Sequence, residues 1–167
     1  DKEIEYLRSK DKKLAEVIDK VGHIDRTVDT DLFSSVVHHI IGQQISTKAQ
    51  QTIWLRMNEK YGHVTPEVID SADAAELQSL GMTFRKAEYI KDFSHKVVSG
   101  EFSLDAVWHM SDEEAVEALS SLNGVGVWTA EMIILFCMQR SDILSFGDLA
   151  IQRGMLSLIH ISEPTRH

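Results

Sequence analysis

Along most of this chain apolar residues recur at the three- and four-residue spacing of a helix rather than the alternation of a strand. Ala87, Ile90, Ser94 and Val97 mark one such buried face, and Val116, Leu119 and Leu122 a second. Ile53 and Met57, with Trp54 on an adjoining row, mark a third. No stretch alternates between hairpin-turn signals, so strands are not expected. Gly22, Gly62, Gly81, Gly100 and Gly124 each follow a periodic segment, where a helix end favours glycine. Thr65-Pro66-Glu67 reads as a helix start with proline in its first turn. Ser111-Asp112-Glu113-Glu114 reads as a capping box. The pattern predicts an all-α fold of about eight to ten short helices joined by short connections.

Composition bounds this picture. A chain of 167 residues suits one domain or two small lobes sharing a core. No apolar run reaches the roughly 18–20 residues that span a bilayer. The start, Asp1-Lys2-Glu3-Ile4-Glu5, is charged and lacks an apolar signal core, so a soluble cytosolic chain is expected. The single cysteine, Cys137, excludes an internal disulfide and any four-cysteine metal or iron–sulfur site. A net charge of −9 argues against broad electrostatic adhesion to nucleic acid. Lys48, Arg56, Arg85, Lys86, Lys91, Lys96 and Arg153 could still form a local basic face, or could simply be solvated helix faces. If DNA is bound, backbone amides must do part of the work of long basic side chains.

Leu122-Asn123-Gly124-Val125-Gly126 joins two helices, the second beginning near Val127. Its glycines permit positive φ and leave no side chain between backbone and ligand. The first amides of the following helix lack internal acceptors and, with the helix dipole, favour an anion such as a phosphate. Taken alone, Gly-x-Gly more often marks an ordinary helix corner with no ligand. Asp148, 24 positions after Gly124, precedes an apolar helical segment, where a plain helix N-cap is the other reading.

The hairpin resembles that of the helix-hairpin-helix base-excision DNA glycosylases, a family marked by the hairpin, a Gly/Pro-rich loop and a later aspartate. Three further segments resemble its 3-methyladenine DNA glycosylase II branch. They are His38-His39-Ile40-Ile41-Gly42-Gln43-Gln44-Ile45-Ser46, Gly81-Met82-Thr83-Phe84-Arg85-Lys86-Ala87 and Phe146-Gly147-Asp148-Leu149-Ala150-Ile151-Gln152-Arg153. The likeness runs from about Asp11 to Met155 and implies two helical lobes with a cleft between them. Asn123 stands where the hairpin usually has proline, which should loosen the turn slightly. The N-terminal β-rich lobe of longer members is not expected.

The resemblance implies an enzyme that flips an alkylated purine (3-methyladenine, 7-methylguanine) from duplex DNA and hydrolyses its glycosidic bond. It makes Asp148 the catalytic carboxylate, able to stabilise positive charge on the sugar or to orient and deprotonate the attacking water. Some members carry a lysine two residues after the second hairpin glycine, where it attacks the sugar. Here that position is Trp128, which forms no Schiff base, so base removal without strand cleavage is expected. Trp128 could stack on a cationic base, with Met132 and Leu149 beside it in the base pocket, or could pack in the core. Gln44, then Gln43, is the candidate wedge for the vacated stack, though both glutamines could equally bridge helices. Ser46, Gly124, Gly126 and Thr129 complete the expected DNA contacts.

The backbone carbonyls of Ser120, Leu122 and Val125, in the hairpin segment 120–130, are expected to hold a structural Na+ or K+; no other cofactor is implied. Adjacent His38 and His39 would face different sides of a helix and not chelate one ion together. A monomer acting on damaged double-stranded DNA in a bacterial or archaeal cytosol or nucleoid, with no membrane contact, is the expected setting. The alternatives are a glycosylase of the same fold for oxidised or mismatched bases, a non-catalytic helix-hairpin-helix module, and a helical protein-interaction domain. The glycosylase portion is expected over residues 1–155, truncated at its C-terminus. The string Leu156 to Arg166 resembles the conceptual translation of a transposon-end sequencing adapter, which sets 156–167 apart as a non-native tail. Apolar helix faces should then lie open.

Overall fold

The structure is a computed structural model that describes residues 2–24, 28–141 and 143–160, with no account of the side chains at 159 and 160. Among the described residues there are eleven helices and no strand. They are α1 (Lys2–Lys10), α2 (Lys12–Val21), α3 (Leu32–Gly42), α4 (Thr47–Tyr61), α5 (Pro66–Ser71), α6 (Ala74–Ser79), α7 (Phe84–Val98), α8 (Leu104–His109), α9 (Asp112–Ser120), α10 (Val127–Phe136) and α11 (Leu149–His160). The count exceeds the expected eight to ten because α5, α6 and α8 are six-residue segments. Periodicity needs a window of about 11–18 residues and cannot reveal them. Their ends are set by polar side chains instead: Thr65 and Ser103 Oγ atoms accept the amides of Val68 and Ala106, and a capping box at Asp73–Glu76 starts α6.

The chain divides into two compact units, residues 28–144 and residues 1–27 with 145–167. In the larger unit α3 is the central helix, packed against α4, α7 and α10. Leu32, Phe33, Val36, Val37, Ile40 and Ile41 of α3 are all buried. That matches a helix whose residues are apolar on most faces. Phe33 stacks on Phe93 at 5.1 Å between ring centroids, and Phe93 meets Phe102 edge-on at 5.8 Å. The expected faces bury as read at Ala87, Ile90, Ser94, Ile53, Met57, Leu119 and Leu122. Val97, Val116 and Trp54 sit half-buried at the core's margin. α10 is apolar nearly all round, yet it buries only Thr129, Ala130, Ile133 and Ile134. Val127, Trp128 and Phe136 remain exposed.

In the smaller unit α1 packs against α2, whose Leu14 and Ile18 lie on one face. α11 begins at Leu149 and runs unbroken past Met155 to His160. Leu156 and Leu158 favour a helix and Ser157 and Ile159 tolerate one, so helicity itself draws no boundary at 155. The rest of the expected tail, 161–167, lies outside the described residues.

Candidate nucleic-acid interface

The hairpin forms as a tight turn. The Val125 amide donates to Leu122 O at 3.0 Å. Gly124 has φ +83°, which a residue with a side chain rarely adopts. A Cβ there would also stand 2.4 Å from Cδ2 of Tyr89. Gly124 is therefore required twice, by conformation and by the ring of α7 beneath it. Gly126 differs from expectation: its backbone is extended (φ −89°), and a Cβ would meet nothing within 4 Å. What glycine provides there is an N-cap with no side chain over the first turn of α10. Helices α2, α3, α4, α5, α7, α8 and α9 each have an N-cap side chain accepting a backbone amide. α10 has none. Its first-turn amides have no acceptor within the helix, and an anion fits there.

Asn123, in place of proline, is tied down by another route. Its Nδ2 donates to Asp92 Oδ2 at 3.0 Å, and Asp92 also pairs with Lys96 at 3.1 Å.

The segment 43–46 connects α3 to α4, at the junction expected for it. Gln43 Nε2 donates to Gly124 O at 2.5 Å, which joins two motifs 81 residues apart. Gln43 therefore anchors the turn to the hairpin, and Gln44 is the one left to project. Gln44 is exposed and has φ +56°, a strained conformation for a non-glycine residue. Ser46 Oγ accepts the Ala49 amide as N-cap of α4, so its lone pair is partly committed. The turn, the hairpin and the start of α7 enclose a groove of about 560 Å³ lined by Gln43, Gln44, Ile45, Thr83, Arg85, Lys86, Tyr89 and Gly124.

Trp128 is 49% exposed, outside the core of the described residues, and Met132 is half-buried one turn on. Thr129 is buried, so any DNA contact from it must use the backbone amide. Leu122 O accepts the Val125 amide, and the Ser120 and Val125 carbonyls belong to the same hairpin segment. Three carbonyls with spare lone pairs on one turn suit a weakly held monovalent cation.

In the other unit Asp148 is half-buried at the start of α11. Its Oδ1 accepts the amides of Ala150 at 2.7 Å and Ile151 at 3.0 Å. It is thus a genuine N-cap, and two amides fix the orientation of its carboxylate. Leu149 beside it is exposed.

The basic face thins on inspection. Lys86 donates to Ile41 O and Gln43 O, Lys91 to Asp70 O and Ala72 O, Arg56 to Leu80 O, and Lys96 pairs with Asp92. Lys48, Arg85 and Arg153 are left exposed. His38 and His39 part company as expected: Gln50 contacts His38, while His39 Nδ1 bonds Ser35 O at 2.8 Å. Sequence reasoning missed Tyr89 and Asp92 and took Lys86 for a surface charge. Their i, i+3, i+6 spacing on α7 was the available signal.

An all-helical chain whose amide-bearing hairpin is bonded to a wedge-like turn belongs to the helix-hairpin-helix class. Residues 37–167 match the model of the HhH-GPD superfamily base excision DNA repair protein. The chain is a member of that superfamily.

Among its relatives, DNA-3-methyladenine glycosylase 1 of Schizosaccharomyces pombe is 28% identical over 73% of this chain and 55% of its own. DNA-3-methyladenine glycosylase 2 of Escherichia coli is 25% identical over 74% of this chain and 47% of its own. The chain spans about half the length of such relatives. The solved structure of the S. pombe 3-methyladenine DNA glycosylase Mag1 in complex with abasic DNA is similar at a TM-score of 0.83 and 26% identity, covering 99% of this chain and 84% of that one. A DNA-3-methyladenine glycosidase from Bacillus halodurans gives 0.81 and 31%, covering 95% and 74%.

Proposed function

We propose that this protein is a monofunctional DNA glycosylase that removes alkylated purines from duplex DNA. The observation that carries the reading is the bond from Gln43 to Gly124 O, which makes one surface of a phosphate-binding hairpin and a wedge turn. The hairpin amides hold the backbone without reading sequence, with the Ser120, Leu122 and Val125 carbonyls holding Na+ or K+ behind them. Gln44 fills the stack vacated by the flipped nucleotide. Trp128, with Met132 one turn on, receives the base; a methylated purine is cationic and stacks well on an indole. Asp148, oriented by the Ala150 and Ile151 amides, supports the sugar cation and the attacking water. An alkylated base is already a good leaving group, so this modest machinery suffices. Relatives named DNA-3-methyladenine glycosylase support the substrate class.

The test is incubation with duplex DNA carrying 3-methyladenine or 7-methylguanine. Free base and an alkali-labile, un-nicked strand are expected. Strand nicking with a borohydride-trapped protein adduct, or excision confined to oxidised bases, would overturn the reading.

A further inference from the structure

The wedge turn is closed by its own backbone only through long bonds: the Gln43 amide reaches Ile40 O at 3.5 Å and the Ile45 amide reaches Gly42 O at 3.4 Å. α3 ends at Gly42, and the next residues are a half-buried Gln43 and an exposed Gln44 at φ +56°. The carbonyls at a helix C-terminus carry partial negative charge and need donors. One comes from another helix. Lys86, in the first turn of α7, places its Nζ 2.8 Å from Ile41 O and 2.6 Å from Gln43 O. A single ammonium thus bridges the last turn of α3 and the residue immediately before the wedge. Gln43 is thereby held at both ends, its carbonyl by Lys86 and its side chain by Gly124.

We infer that Lys86 is a positioning residue, clamping the 41–43 backbone so that Gln44 is presented to the DNA stack in its left-handed conformation. The role rests on the glycosylase reading only for its consequence; the clamp itself is independent of it. Lys86 does not touch the base, and its charge is spent on carbonyls rather than phosphates. Lys91, one and a half turns along α7, caps Asp70 O and Ala72 O in the same manner, far in sequence from any DNA contact, and serves as the control.

The experiment compares the parent chain with Lys86→Met, Lys86→Arg and Lys91→Met. Amide hydrogen exchange at Gln43–Ser46 should quicken about tenfold or more in Lys86→Met, as loss of charge-assisted bonds implies, and should stay near the parent rate in Lys91→Met. Unchanged exchange in Lys86→Met overturns the clamp whether or not any variant is active. Single-turnover release of 7-methylguanine from a fully paired duplex should fall about tenfold in Lys86→Met. It should recover to within about twofold when the lesion lies opposite an abasic gap, where flipping needs little help. Lys86→Arg should restore much of the paired-duplex rate. Equal loss on both substrates would make Lys86 a general structural residue and overturn the positioning role. If the parent releases no base from either substrate, the glycosylase reading fails while the exchange result still decides the clamp.

Discussion

Asp148 is both helix cap and candidate catalyst, and the two roles separate by substitution. Asparagine caps a helix about as well as aspartate. Asp148→Asn should therefore keep its melting temperature within a few degrees while base release falls at least about a hundredfold, a loss of charge opposite the sugar cation. Melting curves beside 3-methyladenine release check this, and full activity would remove Asp148 from the mechanism. Gly124 is the sharpest steric site. Gly124→Ala meets both the positive φ and the Tyr89 ring, so urea unfolding should show a loss of about 1–3 kcal/mol. His38 and His39 set a pH dependence. Burial pushes both imidazoles below the ordinary 6.5, with His39 adding to the effect on His38. Below pH 6.5 the unfolded chain binds protons that the folded one resists, so stability falls as pH falls. His39→Gln should flatten the decline between neutral pH and pH 5, measured by denaturant midpoints; an unchanged slope would assign it to other groups.

The organising element is α7. Lys86, Tyr89 and Asp92 rise along one face and meet, in turn, the wedge backbone, the hairpin glycine and the hairpin asparagine. Helix starts were legible because N-cap side chains act within a few residues of themselves, as at Thr65, Ser111 and Asp148. Helix ends capped from a distance were not. Arg56, Lys86 and Lys91 close the ends of α6, α3 and α5, and nothing local in the sequence announces a partner 19 to 45 residues away. Asp92→Ala should loosen Asn123 and weaken abasic-duplex binding several-fold, about 1 kcal/mol for one bond, with little change in the melting temperature. A titration of binding in parallel with Asn123→Ala checks it: the double variant should be no weaker than either single one.

At the scale of the molecule, the proposed DNA binding turns on charge. Seven basic side chains would give a salt slope near −6, whereas the three left uncommitted predict about −2 to −3 in log K against log salt. Titrating abasic duplex at several salt concentrations measures it, and a slope near −6 would mean that the committed lysines leave their carbonyls on binding. In the proposed reading the remainder comes from amide contacts at α10, which release few counterions.

The sequence by itself determined the helical class, most buried faces, the hairpin and the identity of its candidate chemistry, because periodicity, caps and glycine punctuation are local. Only the tertiary structure decided what the neighbouring charges do. Placed beside α3, Lys86 becomes a helix cap; placed beside Gly124, Gln43 becomes an anchor and leaves Gln44 to project. Those outcomes depend on which helix ends face each other across the core, a non-local fact that no spacing in the chain records.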